Sequence, residues 1–207
     1  MLCIVDYGVG NLFSLKCSLD AIGVEAKVTS DAEEIKNADR IILPGVGAFE
    51  DAAKKLKNSG LQETVIAEAK SGKPILGICL GMQLLFDRSF EYGEHDGLGL
   101  IKGNVRSIAD VIPADLKIPH IGWNALEFTN GKNPLFKYIN DGDFVYFVHS
   151  FYAADCEKNT IAVSEYGTPL TAAVADGNIF GCQFHPEKSG TVGLNILRAF
   201  CEMEAAV

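Results

Sequence analysis

The chain has 207 residues, of which 48% are hydrophobic and 22% charged, as expected for a globular protein that buries a core. Its formal net charge of -9 argues against a general nucleic-acid-binding protein, which needs a basic face. No apolar run is long enough to cross a membrane, and Met1–Asp6 reaches a charge too early for a secretion signal. The six cysteines contain no C-x-x-C pair, so we expect free thiols and a cytoplasmic location.

The first part of the chain alternates apolar runs with helical patterns. Leu2–Val5 predicts a strand, and apolar residues from Leu12 to Ile22 then recur at helical spacing up to a C-cap at Gly23. The next predicted elements are a strand at 24–28, a helix opened by a capping box at 30–33, a strand at 40–43, helices at 48–57 and 61–70, a strand at 75–78 and a helix from Met82. This alternation predicts an α/β fold with a doubly wound, mostly parallel sheet flanked by helices.

The second part is glycine-punctuated and rich in β-formers. Turn signals such as Asn130-Gly131, Asp141-Gly142 and Asp176-Gly177 separate additional short strands. The predicted strands lie at 97–105, 118–128, 144–148, 161–163, 170–174 and 179–184, and a closing helix lies at 191–203. The chain contains no repeat, linker or low-complexity tract, so a single domain over residues 1–207 is the simplest organisation.

Cys79 lies between a predicted strand and a predicted helix, flanked by Gly77 and Gly81. This is the nucleophile-elbow pattern with sulfur in place of the serine oxygen. Such a turn exposes the thiol at the carboxyl end of a sheet and directs helix N-terminal N–H groups at it, which favours a thiolate. A lone free cysteine is more often a small buried hydrophobe, so this interpretation depends on a second segment.

That second segment contains His185 and Glu187, separated by Pro186. Residues two apart in an extended segment point to the same face, and the proline biases His185 towards extended backbone. A carboxylate beside an imidazole orients the ring and stabilises the imidazolium. His185 is therefore the candidate acid–base and Glu187 its orienting partner, although an isolated H-x-E pair is more often a surface pair.

Pro44–Gly47 follows a predicted strand, so we expect it at the same sheet edge as Cys79. Its two glycines allow backbone N–H groups to turn inward. The N–H of Val46 or Gly47, together with that of Leu80, forms a candidate oxyanion hole. An ordinary strand-to-helix turn explains the same residues equally well.

The remaining patterns indicate no cofactor. Gly8-Val9-Gly10 is similar to a phosphate loop, but Phe13 stands where the third glycine of G-x-G-x-x-G would be. A zinc site that used His185 and Glu187 would need a third ligand at suitable spacing, and the sequence nearby supplies none. We therefore predict neither a metal nor an organic cofactor.

Together, Gly77–Gln83 and His185-Pro186-Glu187 resemble the class I, triad-type glutamine amidotransferases. The resemblance covers the whole chain, and the order Cys, His, Glu is that of the family. A narrower resemblance, to the glutaminase subunits of imidazole glycerol phosphate synthases of histidine biosynthesis, rests on the segments 6–12, 44–49, 119–124, 147–150 and 183–189.

The resemblance implies hydrolysis of L-glutamine to glutamate and ammonia through a γ-glutamyl thioester on Cys79. It also implies a heterodimer with a (β/α)8-barrel cyclase/synthase subunit, which receives the ammonia through a tunnel and makes imidazole glycerol phosphate and AICAR. The implied glutaminase is nearly silent until that partner binds its own ligand. The implied substrate-binding residues are Gly45, Gly47, Gln83, Ser150 and Phe151, and the implied interface residues are Gly10, Asn11, Trp123, Tyr146 and Lys188.

Other functions stay open at this point. The same scaffold supports a stand-alone cysteine γ-glutamyl hydrolase, a paralogous glutaminase that feeds another synthase, or a non-catalytic binding module. Activity without a partner would indicate the first of these, and an intact Cys79, His185 and Glu187 argues against the last. Trp123 is the only tryptophan, and a single tryptophan in a chain is more often a core residue than an interface anchor.

Overall fold

An eight-stranded sheet forms the centre of the computed structural model, which describes residues 1–204. In chain order the strands of the protein are β1 Leu2–Val5, β2 Ala26–Thr29, β3 Arg40–Leu43, β4 Ile75–Ile78, β5 Phe86–Ser89, β6 His95–Asp96, β7 Ile101–Ser107, β8 His120–Ala125, β9 Glu127–Phe128, β10 Phe144–His149, β11 Phe151–Ala154, β12 Thr160–Glu165, β13 Pro169–Asp176 and β14 Ile179–Cys182. The central sheet has the order β2-β1-β3-β4-β14-β13-β12-β9. Its pairings from β2 to β14 are parallel and the remainder antiparallel, so the predicted α/β class with a mostly parallel sheet is confirmed.

Helices cover both faces of the parallel half of this sheet. They are α1 Leu12–Ala21, α2 Ala32–Asn37, α3 Phe49–Asn58, α4 Leu61–Lys70, α5 Leu80–Leu84 and α6 Gly190–Cys201. Side chains alternate between the faces of a strand, so Ile4 and Ile42 pack with α1 and α6 while Val5 and Ile41 pack with α2, α3 and α4. The sheet is thus the middle layer between two apolar cores.

Two smaller sheets extend these layers. The two-stranded sheet β8-β10 packs on the α6 side through Val145 and Phe147. The four-stranded sheet β11-β7-β5-β6 packs on the opposite side through Phe86, Ile101 and Val105. Of their strands, β7, β8 and β10 overlap the predicted segments 97–105, 118–128 and 144–148, whereas β5, β6 and β11 were not predicted.

Several predicted boundaries were wrong for local reasons. Ser30 does not cap α2; Asp31 does, because its side chain accepts a hydrogen bond from the Glu33 N–H at 2.8 Å. The helix after Cys79 begins at Leu80 and ends at Leu84, and β5 starts at Phe86. The apolar run that looks like a longer helix instead enters a strand that is buried at Phe86.

Within residues 1–204, no helix has both the length and the hydropathy needed to cross a membrane.

Candidate active site

Cys79 occupies a strained turn between β4 and α5. Its φ of 54° and ψ of -112° are unusual for a residue with a side chain. The flanking glycines permit this turn, since a Cβ on Gly81 would lie 1.9 Å from the Leu43 carbonyl oxygen and a Cβ on Gly77 would lie 2.7 Å from that of Gly81. The turn brings the thiol to the carboxyl end of the sheet, as the sequence pattern predicts.

The register of two neighbouring strands brings the second segment to the same place. β14 pairs parallel to β4 with Cys182 opposite Ile78, and the Cys79 N–H donates to the Cys182 carbonyl at 2.7 Å. The chain then leaves β14, and the His185 N–H donates to the Tyr146 carbonyl at 3.0 Å. Residues more than a hundred positions apart in sequence therefore meet at one edge.

His185 and Glu187 form a buried pair. The distance between His185 Nδ1 and Glu187 Oε1 is 2.8 Å, and both side chains are 3% exposed. The second carboxylate oxygen of Glu187 is also buried and has no hydrogen-bond partner among residues 1–204. With Nδ1 bound to the carboxylate, the other ring nitrogen of His185 is left for the sulfur of Cys79.

The electrostatics of the pair favour a charged imidazole. Burial lowers the pKa of His185, but hydrogen bonds to Cys79 and Glu187 outweigh it and raise this pKa to about 9. A thiol, an imidazole and a carboxylate in this order can support covalent catalysis.

A cavity of about 330 Å³ opens over Cys79. Its lining includes most of the residues predicted for the oxyanion hole and for the substrate: Val46, Gly47, Leu80, Gln83, Ser150 and Phe151. Gly45 is not part of this lining. It packs instead behind the cavity wall, against Leu80 and Gly81.

Gln83 lines the cavity with an amide that is already engaged. Its Nε2 donates to the Phe151 carbonyl at 3.1 Å and to Gln183 Oε1 at 3.0 Å. Gln183 in turn directs its own Nε2 at the sulfur of Cys79, at 3.8 Å. Gln83 therefore has only its carbonyl oxygen free for a ligand, and it also supports the wall formed by Phe151.

Sequence reasoning missed five cavity residues, of which Glu91, Tyr92 and His149 have polar side chains and Pro119 and Val148 are apolar. Glu91 is buried, and burial raises its carboxyl pKa. Tyr92 is exposed at the rim and packs edge-on to Phe151, with ring centroids 5.9 Å apart. Of the three polar residues, only His149 carried a signal, since it lies beside the predicted Ser150, whereas Glu91 and Tyr92 lie in a turn without a recognisable pattern.

His149 belongs to a chain of buried hydrogen bonds. Its Nδ1 lies 2.9 Å from the Phe151 carbonyl, and its Nε2 lies 3.0 Å from Nδ1 of His120. Nε2 of His120 lies 3.0 Å from Oδ1 of Asn124, whose amide nitrogen donates to the Glu165 carbonyl at 2.9 Å. The chain connects the cavity wall with β8.

The residues predicted for a partner interface fall into two groups. The first group surrounds Tyr146. Trp123 is 52% exposed, and the centroid of its ring lies 6.0 Å from that of Tyr146. Lys188 Nζ lies 5.9 Å from the centroid of the Tyr146 ring. Ile121 and Phe144 are exposed on the same two strands, and we call these five residues the aromatic face. Gly10 lies beside Pro44, and Asn11 lines a small pocket together with Glu187.

A family model described as "Glutamine amidotransferase class-I" matches residues 3–203. The chain belongs to the class I glutamine amidotransferases. A relative in this family, "Imidazole glycerol phosphate synthase subunit HisH" of Caldanaerobacter subterraneus subsp. tengcongensis, is 52% identical and covers 98% of each chain. The protein of the same name from Oceanobacillus iheyensis is 48% identical and covers 98% of this chain and 99% of its own. A solved structure titled "Crystal structure of glutamine amidotransferase" shares the fold, with a TM-score of 0.75, 21% identity and 97% coverage of both chains.

Proposed function

We propose that this chain is the glutaminase subunit of an imidazole glycerol phosphate synthase and hydrolyses L-glutamine with a triad of Cys79, His185 and Glu187. The observation that carries the proposal is the buried His185–Glu187 pair beside the strained Cys79 turn, at the floor of a cavity. The full-length similarity to subunits of that name supports the choice within the family.

The first chemical step is acyl transfer to sulfur. The Cys79 thiolate attacks the side-chain amide carbon of glutamine, and the carbonyl electrons move to oxygen. As the tetrahedral intermediate collapses, the C–N bond breaks and the imidazolium of His185 gives its proton to the leaving nitrogen. Ammonia and a γ-glutamyl thioester are formed, and Glu187 keeps the ring oriented throughout.

Hydrolysis of the thioester completes the cycle. Neutral His185 takes a proton from a water molecule that attacks the thioester carbon, and the C–S bond then breaks. Glutamate leaves, and the thiolate–imidazolium pair is restored. One glutamine and one water thus give one glutamate and one ammonia.

Backbone N–H groups stabilise the oxyanion of the two tetrahedral intermediates, one in thioester formation and one in thioester hydrolysis. The Leu80 N–H follows the nucleophile at the start of α5, where helix N–H groups have no acceptor within the helix. The second donor is the N–H of Val46 or Gly47, both of which line the cavity.

Substrate recognition uses the rest of the cavity. Glu91 supplies a buried carboxylate for the α-ammonium group of glutamine. Ser150 and Phe151 supply backbone beside the substrate, and Gln83 offers its free carbonyl oxygen.

The aromatic face docks the (β/α)8-barrel synthase subunit. A half-exposed tryptophan beside a tyrosine suits an interface anchor, because Trp and Tyr are enriched among the residues that dominate interface energetics. Docking seals the carboxyl edge of the sheet and keeps ammonia away from bulk water, where it would be protonated and lost as a nucleophile.

The test is glutamine hydrolysis by the purified chain, measured with and without a barrel synthase subunit and its ligand. We expect little turnover from the chain alone and strong stimulation in the complex. Full activity in the isolated chain would identify a stand-alone γ-glutamyl hydrolase and contradict the subunit assignment.

A further inference from the structure

Two buried side-chain hydrogen bonds hold the ends of the segment that carries the candidate oxyanion donors. At one end, Tyr7 Oη donates to the Pro44 carbonyl at 2.6 Å. At the other, the Phe49 N–H donates to Glu91 Oε2 at 2.6 Å. Both bonds come from outside the segment, one from the loop after β1 and one from the turn after β5.

These bonds fix two peptide planes. The Pro44 carbonyl belongs to the same rigid peptide unit as the Gly45 N–H, so the bond to Tyr7 also fixes the direction of that N–H. The bond to Glu91 does the same for the Ala48–Phe49 peptide. The peptides between these two carry the N–H groups of Val46, Gly47 and Ala48, and neither of the two hydrogen bonds restrains them.

Packing makes the Tyr7 end the stiffer one. A Cβ on Gly45 would lie 2.7 Å from the Gly81 nitrogen, 2.9 Å from the Leu80 Cβ and 3.0 Å from Tyr7 Oη. Gly45 is therefore wedged between Tyr7 and the turn that carries Cys79. Gly47 has a φ of +93° and open space where a Cβ would be, and Val46 is 40% exposed.

We propose that Tyr7 is a positioning residue for glutamine hydrolysis: its hydroxyl fixes the Pro44–Gly45 peptide and with it the Gly45 N–H, and the unrestrained N–H groups of Val46 and Gly47, both at the cavity, are left to turn towards the oxyanion. This role rests on the proposed function. Burial, together with the nearby Cys79 sulfur, raises the pKa of Tyr7, so the hydroxyl keeps its proton and remains a donor.

The test is Tyr7→Phe, which removes the hydroxyl and keeps the ring, assayed in the complex with the synthase subunit. We expect the glutamine KM to stay within about threefold and kcat to fall roughly 10- to 100-fold, less than the loss of an oxyanion donor itself. Iodoacetamide, which uses no oxyanion hole, should alkylate Cys79 at the wild-type rate. Thr129→Val is the matched control, because Thr129 Oγ1 also donates to a backbone carbonyl at 2.6 Å, that of Thr160, away from the cavity.

Each other result overturns the positioning role. An unchanged kcat would show that the hydroxyl does not position the segment. A parallel fall in kcat and in alkylation by iodoacetamide would mean that Tyr7 acts on Cys79 itself. A Tyr7→Phe chain without a cooperative urea transition would make the hydroxyl a folding requirement. A wild-type complex that does not hydrolyse glutamine would sink the proposed function first, and this inference with it.

Discussion

Cys79 differs from the other cysteines of the chain in its surroundings. Burial raises the pKa of the Cys156 and Cys182 thiols, and it raises that of Cys201 to about 11. Those side chains therefore stay protonated and unreactive at neutral pH. Cys79 faces His185 at the floor of a cavity, and Cys17 is exposed on the surface.

A glutamine-like chloroketone should therefore label Cys79 alone of the six cysteines. The reagent binds in the substrate cavity before it reacts with a thiol, and Cys17 lies outside that cavity. The measurement is peptide mass spectrometry after partial labelling, with iodoacetamide as the control that also reaches exposed Cys17. Cys79→Ser should eliminate the label and the turnover together, and equal labelling of several thiols would argue against an activated Cys79.

His185 and Glu187 should differ in what their loss costs. His185→Ala should reduce kcat nearly as much as Cys79→Ala, because triad members act as a unit. Glu187→Gln should cost less, at most about 10⁴-fold by analogy with other orienting carboxylates. Full activity of Glu187→Gln would exclude the orienting role.

The same pair gives a titration that can be measured directly. In the wild type, NMR of the ring should report a pKa of about 9 for His185. In Cys79→Ala that pKa should move down, since the sulfur no longer raises it while burial still lowers it. An unchanged pKa in the variant would show that His185 does not interact with Cys79.

At the scale of elements, the Pro44–Phe49 segment predicts a sharp effect of one backbone atom. Val46→Pro removes the Val46 N–H, and the loss of an oxyanion donor costs roughly 10²–10³-fold in kcat. Val46→Ala, which keeps the N–H, is the control and should retain turnover. If Val46→Pro also retained it, Gly47 rather than Val46 would be the donor.

Elements with a strong local signal could be predicted from the sequence. Helix α4 begins at Leu61 and ends at Lys70 as predicted, because Gly60 and Gly72 bracket a run of good helix formers. β11 at Phe151–Ala154 was missed, because its register depends on pairing with β7, about fifty residues earlier in the chain. Long-range pairing of this kind leaves no local pattern to read.

The residues of the candidate site show the same contrast between local signals and long-range contacts. The strained turn at Cys79 and the extended backbone of His185 could be predicted because glycine and proline constrain backbone locally. The extended segment predicted through Glu187 was wrong, because Pro186–Lys188 form a turn of 3-10 helix that begins at the proline. Tyr7, Glu91 and Gln183 could not, because their roles come from single hydrogen bonds across the fold. The residue roles and the single-domain organisation remain predictions.

For the whole molecule, the aromatic face should matter only in the presence of a partner. Trp123→Ala and Lys188→Ala should weaken stimulation by the synthase subunit and leave the basal turnover of the isolated chain near wild type. Lys70→Ala is the control, since Lys70 ends α4 at the opposite edge of the sheet. Undiminished stimulation in both variants would place the interface elsewhere.

The hydrogen-bond chain through His120 and His149 needs more ring hydrogens than two neutral imidazoles carry. The three contacts join the Phe151 carbonyl to His149, His149 to His120, and His120 to Oδ1 of Asn124. Because the groups at both ends are acceptors, the two rings must supply one hydrogen for each contact, three in all. Two neutral imidazoles carry only two. Burial lowers the pKa of His120 and brings that of His149 to about 4, so near neutral pH the third is absent.

The vacancy can move, because each ring can exchange one tautomer for the other. When it lies at Phe151, the cavity wall loses a donor; when it lies at Asn124, β8 loses one beside Trp123. When it lies between the two rings, both ends keep their donors and two nitrogen lone pairs face each other across the His120–His149 contact, so near neutral pH one of the three contacts always lacks its hydrogen.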